Sequence, residues 1–213
     1  GVNGYFDVSK KFKIGGNAQY ANDENRVETL SNTQTFLSSG DRYSRQVSSS
    51  VSKRDDFNTG FNIEWRPDSL TTIYARSYIG FNNNDDNNNS SDMSYVADKD
   101  TTTGTSLSNN KGSGFSINNS LTIGRKLNSK GRTLSLSFNN SIRNEDAKGS
   151  NYSRTQYTNE TVDKIIDQRT NTIGNTNSYN LSVSFVEPLG KDYRIQFAYS
   201  YGVDKSDRKR NVW

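Results

Sequence analysis

The residues best suited to chemistry in this chain are carboxylates set side by side: Asp55-Asp56, Asp85-Asp86 and Glu145-Asp146. Two carboxylates divide acid and base roles only when their oxygens converge on one reacting bond. Neighbours in an extended chain point to opposite faces, so these pairs diverge and make poor partners. Asp85-Asp86 sits inside NNNDDNNNSS, Asn82 to Ser91, an oxygen-rich stretch of the kind that ligates Ca2+. It lacks the central glycine and closing glutamate of an EF-hand loop, and reads as a solvated surface segment. Cysteine and histidine are both absent, which removes disulfides, thiolate nucleophiles, Cys/His zinc sites and any Ser-His-Asp triad. Gly15-Gly16 and Gly112-x-Gly114 precede neither a Lys-Ser/Thr pair nor a strand-to-helix transition, so they are not phosphate loops. No catalytic residue, cofactor or metal site is expected, and the chain is not read as an enzyme.

The remaining charges are scattered. The net charge is +4, and the one short basic run, Lys205 to Arg210 (KSDRKR), reads as a solvated face or loop; no nucleic-acid partner is expected. Arg76, Glu64, Arg143 and Arg194 fall on polar rows of alternating segments. They are expected to pair with one another across neighbouring strands in preference to lining a solute path.

What positions these groups is a repeated alternation. In TLSLSFNNSI, Leu134, Leu136, Phe138 and Ile142 share one face, and Ser135, Ser137, Asn139 and Ser141 the other. The same period of two recurs in Phe12–Tyr20, Phe57–Trp65, Leu70–Phe81, Phe115–Ile123, Tyr179–Phe185 and Ile195–Tyr201, with a short first strand near Val2–Val8. Each strong segment runs about 9–13 residues, the length a tilted strand needs to cross a hydrocarbon layer. Short turns at Lys10-Lys11, Arg66–Ser69, Arg125–Arg132 and Glu187–Asp192 alternate with long polar connections, Ala21–Asp56, Asn82–Gly112 and Asn144–Thr176. Both prolines, Pro67 and Pro188, are read into the short turns.

Only 30% of the residues are hydrophobic, while 11% are aromatic. Asparagine (28) and serine (30) make up more than a quarter of the chain. A soluble two-layer fold is poorly supplied by such a composition, and disordered chains are poor in aromatics. A membrane barrel needs apolar residues at only every second position of its strands.

The fold class expected is therefore all-β, an antiparallel up-and-down transmembrane β-barrel with about eight strands present, as part of a larger barrel wall. Residues 1–213 read as one barrel segment. The expected lipid-facing residues are Ile14, Phe61, Ile63, Ile117, Leu121, Leu134, Leu136, Phe138, Leu181, Val183, Ile195 and Phe197. Two aromatic girdles are expected: Phe12, Trp65, Phe185 and Tyr193 near the short turns, and Tyr20, Phe57, Phe81, Phe115, Tyr179 and Tyr201 near the long connections. The chain opens on Gly1 without an initiator methionine and ends on Trp213 behind a charged run, so it is expected to be an internal piece of a longer protein.

Three segments carry a family resemblance: FNIEWRPDSLTTIYARSYIGFNNND (Phe61–Asp85), GRKLNSKGRTLSLSFNNSIRNEDAKGSNYSRTQY (Gly124–Tyr157) and VSFVEPLGKDYRIQFAYSYGVDKSD (Val183–Asp207). With their W-x-P-D-S, R-K-L-N-x-K-G-R and E-P-L-G-K turns, they resemble the barrel region of Bacteroidetes outer-membrane proteins of the TonB-dependent-receptor-like superfamily. The resemblance covers most of the chain from Phe57 onward. It implies a barrel of about 22 strands, a plug domain that this chain lacks, and a bacterial outer-membrane location. It also implies uptake of an unknown extracellular ligand, with outer-membrane lipid and a TonB-type energy-coupling protein as partners. The TonB contact would lie in the missing N-terminal region, and no ligand-binding residue is carried over. Two other readings stay open: a small self-contained outer-membrane barrel with an adhesin or structural role, and a soluble β-sheet binding protein.

Overall fold

The computed structural model describes residues 1–38, 40–96, 99–158, 160–190 and 192–213, with backbone alone for 99 and 100. Eight strands form one antiparallel sheet in strict chain order: β1 (Val2–Ser9), β2 (Phe12–Thr35), β3 (Arg42–Trp65), β4 (Thr71–Val96), β5 (Lys99–Lys126), β6 (Thr133–Tyr157), β7 (Lys164–Pro188) and β8 (Arg194–Val212). This is the all-β, up-and-down architecture read from the alternation. Every connection joins adjacent antiparallel strands, so register follows from turn geometry and side-chain parity.

The strands are much longer than the sequence reading expected. β2 to β7 run 24 to 28 residues each, where about 9–11 cross a bilayer. The three segments read as long connections are mostly strand. Asn22 to Thr35 pairs with Asp55 to Arg42, Asn82 to Ser94 with Gly114 to Thr102, and Asn144 to Thr155 with Asn175 to Lys164. What remains at that end are the connections 36–41, 97–98 and 158–163, of which positions 39, 97, 98 and 159 lie outside the described residues. The expected contrast between short turns and long loops is therefore replaced by hairpins with brief connections at both ends. The alternation failed to announce these strands because both of their faces carry Ser, Thr, Asn and charged residues. Period-two patterning marks a strand only where its two sides meet different surroundings.

The opposite ends carry local turn chemistry. Asp68 Oδ1 accepts from the backbone N–H of Leu70 (2.8 Å) and Thr71 (2.7 Å). These bonds hold its carboxyl below the usual carboxylate range. In the next turn Asn128 Oδ1 accepts from the N–H of Lys130 and Arg132, both at 3.0 Å, and Gly131 supplies a φ of +97° that other residues resist. Arg132 donates through Nε and Nη2 to both carboxylate oxygens of Glu187 at 2.5 and 2.9 Å, tying this turn to the end of β7. Pro188, expected in the last turn, is the final residue of β7 and pairs with Arg194; Lys191 of that turn lies outside the described residues.

Among the described residues no second layer covers the sheet. Among the described residues no hydrophobic side chain is buried. Leu136 and Val183, mid-strand and aliphatic, are each 38% exposed. The sheet is also open. β1 pairs with the lower part of β2 alone, and neither β1 nor the outer edge of β8 has a further partner among the described residues. Free edges and a bare apolar face are both surfaces that a chain in water has to cover.

Candidate functional site

Register sorts the side chains into two faces. On one lie rows such as Trp65–Ile73–Ile123–Leu136–Val183–Tyr199 and Ile63–Ala75–Leu121–Phe138–Leu181–Tyr201, each directly opposed across consecutive strands. Ile14 stands opposite Ile63, Phe61 opposite Ser77, Ile117 between Ile79 and Ile142, Leu134 between Arg125 and Phe185, Phe197 opposite Phe185, and Ile195 opposite Glu187. The twelve residues read as lipid-facing thus share a single face.

The aromatics follow the same parity. Tyr20, Phe57, Phe81 and Phe115 form one row, with ring centroids 6.4 Å apart for Phe57–Phe81 and 4.9 Å for Phe81–Phe115. Phe12 opposes Trp65 at the turn end, and Tyr179 lies 6.3 Å from Phe138. Tyr201 opposes Leu181, while Tyr193 sits in the connection before β8, 76% exposed.

Sequence reading missed a polar row that crosses the middle of this face. Ser77 Oγ donates to Asn119 Oδ1 (2.7 Å), and Asn119 Nδ2 to Asn140 Oδ1 (3.3 Å). Asn140 Nδ2 donates to Asn177 Oδ1 (3.2 Å), and Asn177 Nδ2 to the Tyr179 hydroxyl (2.9 Å). The signal was present as the two gaps in alternation at Asn119 and Asn140. Their mutual contact needs the register of four strands.

The other face is polar and studded with glycine. Asn17 opposes Gly60, Asn62 opposes Gly15, Asn58 opposes Gly80, Asn82 opposes Gly114 and Asn84 opposes Gly112. The amide lies over the glycine: a Cβ at Gly60 would stand 2.7 Å from Asn17 Oδ1. Gly60 and Gly80 are buried and floor a hollow on this face. A trough of about 790 Å3 runs past Gly60, Arg76, Tyr78, Asn118, Asn139 and Asn180. A second hollow of about 510 Å3 continues along the same face, sharing Tyr78, Asn118 and Ser141 and reaching Arg54 and Arg143. Over this height the polar side is therefore the concave one. Higher up the strands the hollow passes to the opposite face, between Val51, Asn87, Leu107 and Asp167, at about 430 Å3.

The cross-strand pairing expected among Arg76, Glu64, Arg143 and Arg194 is not found. Glu64 is engaged by Arg66 at 2.6 Å, two residues along its own chain segment. Arg76 stands between Asn62 and Ser120, and Arg143 between Ser116 and Thr176, so their strand neighbours are neutral. Asp85 and Asp86 project to opposite faces of β4. Lys111 (3.0 Å), Asn87 and Asn109 hold Asp85 and keep its carboxyl below the usual range, while Ser52 and Asn84 donate to Asp86. The basic run of β8 is split by strand parity: Lys205 and Lys209 lie on the side of Val203, Arg208 and Arg210 on the other, which leaves no single basic patch. Gly15-Gly16 and Gly112-x-Gly114 are strand positions in β2 and β5.

No protein-family model matches the chain, and no curated protein matches it. Among solved structures it is similar to the ferric-catecholate import receptor Fiu from E. coli K12, at 7% identity and a TM-score of 0.32, over 98% of this chain and 54% of that one. It is similar to BauA, the ferric preacinetobactin receptor of Acinetobacter baumannii, at 9% identity and a TM-score of 0.34, over 99% and 42%. It is also similar to Pseudomonas aeruginosa OccK10, at 6% identity and a TM-score of 0.16, over 93% and 98%. The chain thus spans about half the length of the two receptors.

Proposed function

We propose that this chain forms part of the wall of an outer-membrane β-barrel of the TonB-dependent receptor type, which takes up an unidentified extracellular solute. The single observation that carries the reading is the bare sheet. Among the described residues the eight strands bury no hydrophobic side chain, yet gather most of their aliphatic and aromatic residues on one face over a limited height. Acyl chains are the surroundings that satisfy such a face without a second protein layer, because the backbone of the inner strands is already paired within the sheet and the two edges would pair with the rest of the wall. In this reading Leu121, Leu136, Phe138 and Val183 face lipid, the Phe57–Phe81–Phe115 row marks one interface, and the asparagine–glycine face looks into the lumen. The resemblance of the turns to those of Bacteroidetes outer-membrane receptors supports the receptor class. Coupling to a TonB-type partner belongs to the reading as a whole and is assigned to no residue here.

Spin labels at Leu136→Cys and Ser135→Cys test it on the chain folded in lipid bilayers. The label at position 136 should collide with dissolved oxygen, which concentrates in acyl chains, and the label at 135 with a water-soluble nickel chelate. The reverse pattern, or a sheet that folds in water with position 136 shielded from both, ends the proposal.

A further inference from the structure

We infer that the trough on the polar face and the hollow adjoining it bind an anionic, hydroxyl-bearing solute, with Arg76 and Arg143 holding its acidic groups. The inference rests on reading that face as the inner one and adds the chemical class of what it meets. Among the described residues five arginines are tied to a carboxylate, Arg26 to Glu24, Arg54 to Asp56, Arg66 to Glu64, Arg132 to Glu187 and Arg154 to Asp163, and the others have none. Among the described residues Arg76, which lines the trough, and Arg143, which lines the adjoining hollow, form neither an ion pair nor a side-chain hydrogen bond, whereas Arg54 in that hollow is tied to Asp56. Asp204, on the β8 side of the trough, pairs with neither.

The surroundings suit a ligand better than a structural partner. Asn17 and Asn58 lie over Gly60 and Gly80, in the space a Cβ would need, so the amides themselves form a flat floor. The row of Tyr78 lies, by register, two residues from that of Arg76 and two from that of Arg143, and Tyr78 lines both hollows. By register the two arginines are two strands and four rows apart, about 16 Å between Cα atoms. Guanidinium forks take carboxylate or phosphate oxygens in pairs. Asn58, Asn118, Asn139 and Ser141 supply donors and acceptors for hydroxyls, and the Tyr78 ring offers an apolar face.

Glucarate and sorbitol are the probes, since both are six-carbon polyols and only glucarate carries carboxylates, one at each end. Titrated calorimetrically into the full chain folded in detergent micelles, glucarate should bind at least about tenfold more tightly than sorbitol, with affinity falling as salt rises. Arg76→Gln and Arg143→Gln should each weaken glucarate about tenfold and leave sorbitol unchanged. Lys148→Gln, on the opposite face, should change neither. Equal affinity for the two polyols, glucarate affinity indifferent to both arginine substitutions, or no glucarate binding at all overturns the site. The spin-label pattern at positions 135 and 136, read on the same sample, separates the two failures: an oxygen-accessible label at 136 with no glucarate binding refutes the site and leaves the barrel standing.

Discussion

Leu121 and Leu107 occupy the same face of the same strand, yet they belong to different parts of the molecule. Leu121 lies between Ala75 and Phe138, in a band whose rows are aliphatic and aromatic. Leu107 lies between Asn89 and Tyr152, in the upper reach of β5, where both faces are polar and the hollow has passed to the side that Leu121 faces. The backbone ladder is continuous through both. The difference shows that hydrogen-bonded pairing alone does not decide what a strand is for. One region offers two unlike faces to two unlike surroundings, and the other offers two wet faces to water. A strand of β5's length, about 90 Å at the usual rise, exceeds any bilayer, so roughly half of it stands clear of the apolar band.

The largest expected break in this comparison comes from a charge. Leu121→Arg should cost about 2–4 kcal/mol in bilayer unfolding titrations, and Leu107→Arg should stay within about 0.5 kcal/mol of the parent. Equal costs would erase the distinction between the regions. Next in size is Ser108→Pro. Ser108 is a central-strand position paired with Asn88 and Asn151, and loss of its N–H should cost about 1–3 kcal/mol. A negligible cost would return residues 82–112 to the loop expected from sequence.

Smaller still is the polar row inside the apolar band. Asn140→Leu should destabilise by about 1 kcal/mol, with a coupling to Asn119→Leu of roughly 0.6 kcal/mol in a double-mutant cycle. Strict additivity would mean the row is five separate residues and not a connected chain. The smallest effect is at the turns. Hydrogen bonding from Arg132 holds Glu187 below its ordinary 4.5. A carboxylate depressed in this way contributes stability above its unfolded value, and the contribution is lost as pH falls through the folded one. Amide exchange around Arg132 should therefore differ between the parent and Glu187→Gln at neutral pH and converge in acid, once the pH has fallen through the lowered Glu187 value. A difference that persists in acid would mean the pair does not hold the turn.

The lower band was legible because alternation, turn residues and aromatics agree there. Ser135, Ser137 and Asn139 against Leu134, Leu136 and Phe138 announce a strand and its two faces without any partner in view. The arginines were misjudged for a definable reason. Parity places Arg76 and Arg143 on the polar face, but whether a cation is paired depends on which residue stands opposite, and those residues are Asn62, Ser120, Ser116 and Thr176. The amide–glycine pairs were hidden in the same way, since no local pattern places Asn58 over Gly80.

By itself, then, the chain's order of residues determined the strands of the apolar band, their two faces, the hairpin order and the absence of Cys/His chemistry, because each depends on contacts within one segment or across one turn. Tertiary structure alone decided how far the strands continue, which asparagines meet and which arginines stand free. Those outcomes depend on register between strands that lie tens of residues apart, and a wet, serine- and asparagine-rich strand carries no local mark of its partner.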